Sequence, residues 1–184
     1  MFRKLVLVLA VTASTAGAQS VDDLSLGQTI STEPQPGQTY VKDVHGDWEV
    51  RCTKAPEGQS DRCTLYQLLR QADGNPISEI SLFSLPPGQQ AVAGATIITP
   101  LESLLQKGLQ MRVDDGETKI YPFSFCNRVG CHARVGLTAI ELAGLERGSE
   151  AFLIISALAK PEQPIEISVS LSGFTAAYDS LLGP

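Results

Sequence analysis

Along the last third of the chain, Ile165, Ile167, Val169 and Leu171 alternate with Glu166, Ser168 and Ser170. That period of two predicts a strand with one buried face and one facing water. Tyr121, Phe123 and Phe125 alternate in the same way, and Pro122 inside the run marks an edge position or a strand end. The run Phe152-Leu153-Ile154-Ile155 is apolar on both faces, which predicts a central strand. Further strands are expected at residues 48–52, 64–70, 77–85, 91–98, 109–113 and 131–137. Between them stand Asp73-Gly74-Asn75-Pro76, Pro86-Pro87-Gly88 and Asp114-Asp115-Gly116, all rich in residues that accept turn geometry. Asp115-Gly116 between apolar runs reads as a hairpin turn. Many short strands at this spacing predict an all-β sandwich or barrel rather than a parallel sheet with crossover helices.

Two brief helices interrupt that texture. Thr138 caps the first, Glu141 reaches back three residues on, and Leu137 with Leu142 occupies the positions of a hydrophobic staple. Gly148 is placed to end it. The second spans residues 172–182, where Phe174, Ala177, Tyr178 and Leu181 share one face and are expected to lie over the sandwich core.

The N-terminus follows a different pattern. Arg3 and Lys4 precede the apolar run from Leu5 to Val11, and Ala16-Gly17-Ala18 supplies small residues for cleavage after Ala18. Residues 1–18 therefore read as a signal peptide, since the apolar run is far short of the roughly 20 residues needed to cross a bilayer. No cysteine sits at the cleavage point, and no later stretch has the length and apolarity of a membrane span, so none is expected after cleavage. Residues 19–43 hold few large apolar side chains and several Gly and Pro, and are expected to form a flexible leader. Residues 44–184 are left as one domain.

Composition narrows the partners. Removing residues 1–18 takes away Arg3 and Lys4 and no acidic residue, leaving twelve basic against twenty acidic residues, a net charge of −8. The twelve are scattered from Lys42 to Lys160, whereas affinity for a phosphate backbone needs them clustered. Nucleic acid is therefore excluded as the expected partner.

Four cysteines follow an export signal, which places them in an oxidising compartment where disulfides persist. Three pairings are possible, and chain entropy does not choose among them. Locality favours Cys52 with Cys63 and Cys126 with Cys131, because the polar segment 53–62 bends back easily and Asn127-Arg128-Val129-Gly130 resembles a turn. A redox reading lacks the Cys-x-x-Cys spacing, and a zinc reading extended by His132 matches no standard ligand pattern. Only His45 and His132 are available as bases, neither in a recognisable catalytic motif. Asp114, Asp115 and Glu117 cluster at a turn, where acidic residues serve solubility and turn geometry more often than calcium. Trp48, the sole tryptophan, is expected to anchor the core. No catalytic residue, metal ligand or cofactor site is assigned.

Taken together, Gly46-Asp47-Trp48 before Cys52, then Cys63, then Cys126-x-x-x-Gly130-Cys131, and Ser170-Leu171-Ser172-Gly173-Phe174-Thr175-x-Ala177 resemble the invasion-associated locus B family of exported bacterial proteins. The likeness covers about residues 44–182. It implies an immunoglobulin-like β-sandwich, to which the residue pattern adds the two short helices, one at the C-terminus. It also implies a periplasmic, secreted or cell-surface location in a Gram-negative bacterium, and a virulence-related setting without established enzymatic activity. Cys52, Cys63, Cys126 and Cys131 fall on the family cysteines, as do Trp48, Gly130, Gly173 and Phe174 on its other marker positions. The expectation is a non-catalytic protein that binds an unidentified envelope or host protein through an edge strand or loops. The alternative is an exported hydrolase or thiol-redox enzyme, which requires a histidine beside a nucleophile in a cleft, or labile sulfurs. A small-ligand carrier would require a lined cavity. Oligomeric state is not legible.

Overall fold

The computed structural model describes Gly27 and residues 33–182. The chain divides after Thr32, and the second unit carries the architecture below. The signal peptide and most of the expected leader lie outside the described residues. The end of that leader does not: Thr39–His45 is a strand, β1, paired antiparallel with β2 (Trp48–Thr53). Tyr40 is the physical reason for this difference from the expected leader. It packs against the core, and its hydroxyl donates to Asp61 at 2.6 Å.

The remaining strands are β3 (Arg62–Arg70), β4 (Pro76–Ser84), β5 (Ala93–Thr99), β6 (Leu109–Val113), β7 (Lys119–Tyr121), β8 (Phe123–Cys126), β9 (Cys131–Leu137), β10 (Glu150–Ala157) and β11 (Lys160–Ser170). They form a seven-stranded sheet in the order β1-β2-β3-β4-β5-β9-β8 and a four-stranded sheet in the order β11-β10-β6-β7. Every pairing is antiparallel. One core lies between the sheets: Val50, Leu65, Leu82, Ile97 and Val135 from the larger, and Leu109, Leu153, Ile167 and Val169 from the smaller. This is the sandwich architecture of immunoglobulin-like domains.

The apolar run at 152–155 is central, as its two apolar faces required: β10 lies between β11 and β6. Its outward Phe152 is covered by the Arg112 guanidinium, 4.1 Å from the ring centroid. The run around Pro122 is not one strand. Pro122 is the crossing point, with β7 in the small sheet and β8 in the large one, and both strands lie at sheet edges. Proline has no N–H to place in a ladder, so the chain changes sheets where a ladder bond is missing anyway.

Helix α1 (Ala139–Arg147) carries the expected capping box: Thr138 N–H donates to Glu141 at 2.7 Å, and Glu141 N–H to the Thr138 hydroxyl at 3.4 Å. Leu137 and Leu142 are both buried beneath it. Helix α2 (Phe174–Leu182) buries Phe174, Ala177 and Tyr178 and packs on β1 to β4, so the expected lid is present.

Candidate functional site

The motif residues at the two ends of the domain meet in space. Trp48 is 1% exposed, its ring lies edge-on to Phe174 at 5.2 Å, and its indole N–H donates to the Ser170 carbonyl at 2.9 Å. The Ser170 hydroxyl donates to Asp47 Oδ2 at 2.6 Å, and Asp47 N–H to the Ser172 carbonyl at 3.1 Å. Gly46 (φ 57°) and Gly173 (φ 82°) turn against each other, and a Cβ on either would strike the carbonyl of Ser172 or His45. Left-handed backbone and contact with a rigid carbonyl both demand glycine. Gln67 completes the clasp by accepting from Ser170 N–H and donating to the Ser170 carbonyl, each at 3.0 Å. Gln67 is not among the residues singled out above; its sequence signal is a polar residue between Leu65 and Leu69 at an inward-facing strand position. These residues join the two sheets, and Asp47, Gln67 and Ser170 also line an open cleft of about 400 Å³ with Glu49, Arg70 and Ser168.

Both cysteine pairs are disulfides and no described cysteine is free. Cys52 and Cys63 face each other across β2 and β3, with Cys52 fully buried. The loop they close is held by Asp61, which accepts from Ala55 N–H at 2.8 Å and from Tyr40. Those bonds, the Ala55 amide first, hold the Asp61 carboxyl below the usual range, and the same contact raises the Tyr40 hydroxyl. Cys126 and Cys131 face each other across β8 and β9. The turn between them is fixed by Asn127, whose side-chain oxygen accepts from Val129 N–H at 2.8 Å, and by Gly130, which lies against Ile98 and the Thr99 carbonyl.

The histidines do not assemble a catalytic pair. His45 Nε2 lies 3.2 Å from Asp43 Oδ2, close enough for ion-pair attraction but without hydrogen-bond alignment. His132 stacks on Phe125 at 4.4 Å with its buried Nε2 unpartnered. Neither touches a serine hydroxyl. The acidic turn is structural too: the Asp114 carboxylate accepts from Ser149 and Glu150 N–H groups at 3.0 to 3.3 Å. Among the described residues no group of three His, Cys, Asp or Glu is placed to hold a metal ion.

A charge cluster joins β7 to α1. Lys119 Nζ lies 2.6 Å from Glu141 Oε1, and the Tyr121 hydroxyl donates to the same oxygen at 3.4 Å. Partial burial alone would raise the Glu141 carboxyl, but Lys119 and Thr138 bring it down to about 2. Burial, then Glu141, pushes Tyr121 up to about 12, and Lys119 is raised by its carboxylate partner. Each shift leads away from neutral pH, the reverse of the tuning a general acid or base needs. Between the sheets the free space is about 10 Å³, no more than a single water occupies.

These observations define a disulfide-stapled β-sandwich whose polar groups mostly hold the fold together. The family described as "Invasion associated locus B (IalB) protein" matches residues 48–182, and this chain belongs to it. The chain is 29% identical over 149 residues to proteins named invasion protein B homolog in Brucella abortus strain 2308 and in its biovar 1 strain 9-941. Each match covers 79% of this chain and 81% of the relative. Its fold is similar to the crystal structure of invasion associated protein B from Bartonella henselae, with a TM-score of 0.66 and 22% identity over 76% of this chain and 93% of that one.

Proposed function

We propose that this chain is an exported, non-catalytic protein that acts by binding another protein, either an envelope component or a host factor. Cleavage after Ala18 releases a mature form beginning at Gln19, in the periplasm or secreted to the cell surface of a Gram-negative bacterium. The two disulfides serve as structural staples there. The observation that carries this reading is the engagement of the polar groups: Asp47, Gln67, Asp61, Asp114 and Glu141 all hold the backbone or a neighbouring side chain. What remains for function is surface. The names of the Brucella and Bartonella relatives support a link to host-cell invasion.

The open edges support recognition through loops or a sheet face rather than strand addition. β1 is bulged between Val41 and Asp43, and Asp43 occupies the Val44 N–H at 2.8 Å. β8 has four residues and a bulge, β7 has three, and β11 carries Pro161 and Pro164 among charged residues. Such features block strand pairing. The test is isolation of tagged mature protein from native envelopes after crosslinking, with N-terminal sequencing of the recovered chain. A stoichiometric partner and Gln19 as first residue are expected; turnover of a defined peptide, ester, phosphate or disulfide substrate by the pure protein would defeat the reading.

A further inference from the structure

The β8–β9 hairpin differs in charge from the rest of the molecule. From Pro122 to Leu137 the chain holds Arg128 and Arg134 and no carboxylate, within a protein of twenty acidic residues. The same hairpin exposes apolar surface: Val129 is 73% exposed at its tip and Phe125 44% exposed on the edge strand. Leu101, 56% exposed, is adjacent, its carbonyl near the Cys131 sulfur. Phe125 stacks on the His132 ring, and the Arg134 guanidinium lies 5.6 Å from its centroid. Val129 also forms one wall of an open groove of about 170 Å³ shared with Leu68, Ile77 and Ile98. The single carboxylate lining that groove, Glu79, is engaged by the Tyr66 hydroxyl at 2.9 Å.

Exposed apolar anchors fixed in place before binding lose little conformational entropy on association. The Cys126–Cys131 disulfide, the Asn127 turn and the close seat of Gly130 on β5 supply that fixation. We propose that this stapled hairpin and its groove are the protein-binding surface, and that the occupant is an acidic segment of a partner protein carrying an apolar or aromatic anchor. The anchor seats against Val129 and Phe125, and carboxylates meet Arg128 and Arg134. A second copy of this chain is the other occupant that the test distinguishes. The proposal rests on the protein-binding reading above and localises it.

The test places a photo-crosslinking amino acid at Val129 in the full chain, expressed in cells that make the natural protein. Control positions are Ile120 and Leu158, 65% exposed in and beside the smaller sheet. The expected product links Val129 to a segment rich in Asp or Glu, is absent from both control positions, and falls at least about tenfold in Arg128→Glu/Arg134→Glu. Retained Trp48 fluorescence in that double variant shows that the fold persists. Crosslinks from the control positions alone overturn the surface but leave the protein-binding function standing. No crosslink from any position overturns both. A product linked through a non-acidic segment, insensitive to charge reversal, or made of two copies of this chain overturns the assigned occupant.

Discussion

Gly173 shows how narrowly a single residue determines the join between the sheets. Its φ of 82° and its contact with the His45 carbonyl leave no room for a methyl group. Gly173→Ala is expected to destabilise the domain by roughly 3 kcal/mol, measured as a lower urea midpoint with unchanged slope. Glu141 acts through charge instead. Its carboxyl holds a proton less tightly in the folded protein than in the unfolded chain, so its contribution to stability is complete above about pH 4.5 and disappears as the pH falls to about 2. Urea melts between pH 6 and 2 should therefore lose stability steeply in that window, and Glu141→Gln should flatten the slope. Tyr121 works in the opposite direction: its contribution is complete below pH 10 and lost as pH rises to about 12.

At the scale of elements, the two disulfides differ in their setting. Cys52–Cys63 joins two strands inside the seven-stranded sheet, whereas Cys126 is exposed on the short edge strand β8. A thiolate must reach a sulfur in order to attack it. With dithiothreitol under native conditions, alkylation followed by mass spectrometry should label Cys126 and Cys131 before Cys52 and Cys63, with β-sheet circular dichroism retained. Simultaneous labelling of all four would contradict the edge placement. Elements were legible where local chemistry decides them: the Thr138 and Glu141 cap, the alternation at 165–171 and the two-faced apolar run at 152–155 all correspond to observed elements. β1 was missed because Val41 and Val44 face solvent on an edge and only Tyr40 reaches the core. Its pairing energy comes from β2, a partner that composition does not register.

For the whole molecule, Trp48 bonded to Ser170 makes its fluorescence a reporter of contact between the sheets. Fluorescence and far-ultraviolet circular dichroism should give coincident urea transitions, and an earlier fluorescence change would mean that the sheets part before they melt. The sequence by itself determined the all-β class and both helices, because period-two alternation, caps and turn residues act between neighbours in the chain. Only the tertiary structure decided that Pro122 hands the chain from one sheet to the other, that Gln67 closes the clasp between Asp47 and Ser170, and that Phe125, Val129 and Arg134 share one surface. The clasp joins positions as much as 123 residues apart, whose contact energies exist only after the two sheets have closed on a common core, and the hairpin surface depends on which sheet β8 joins.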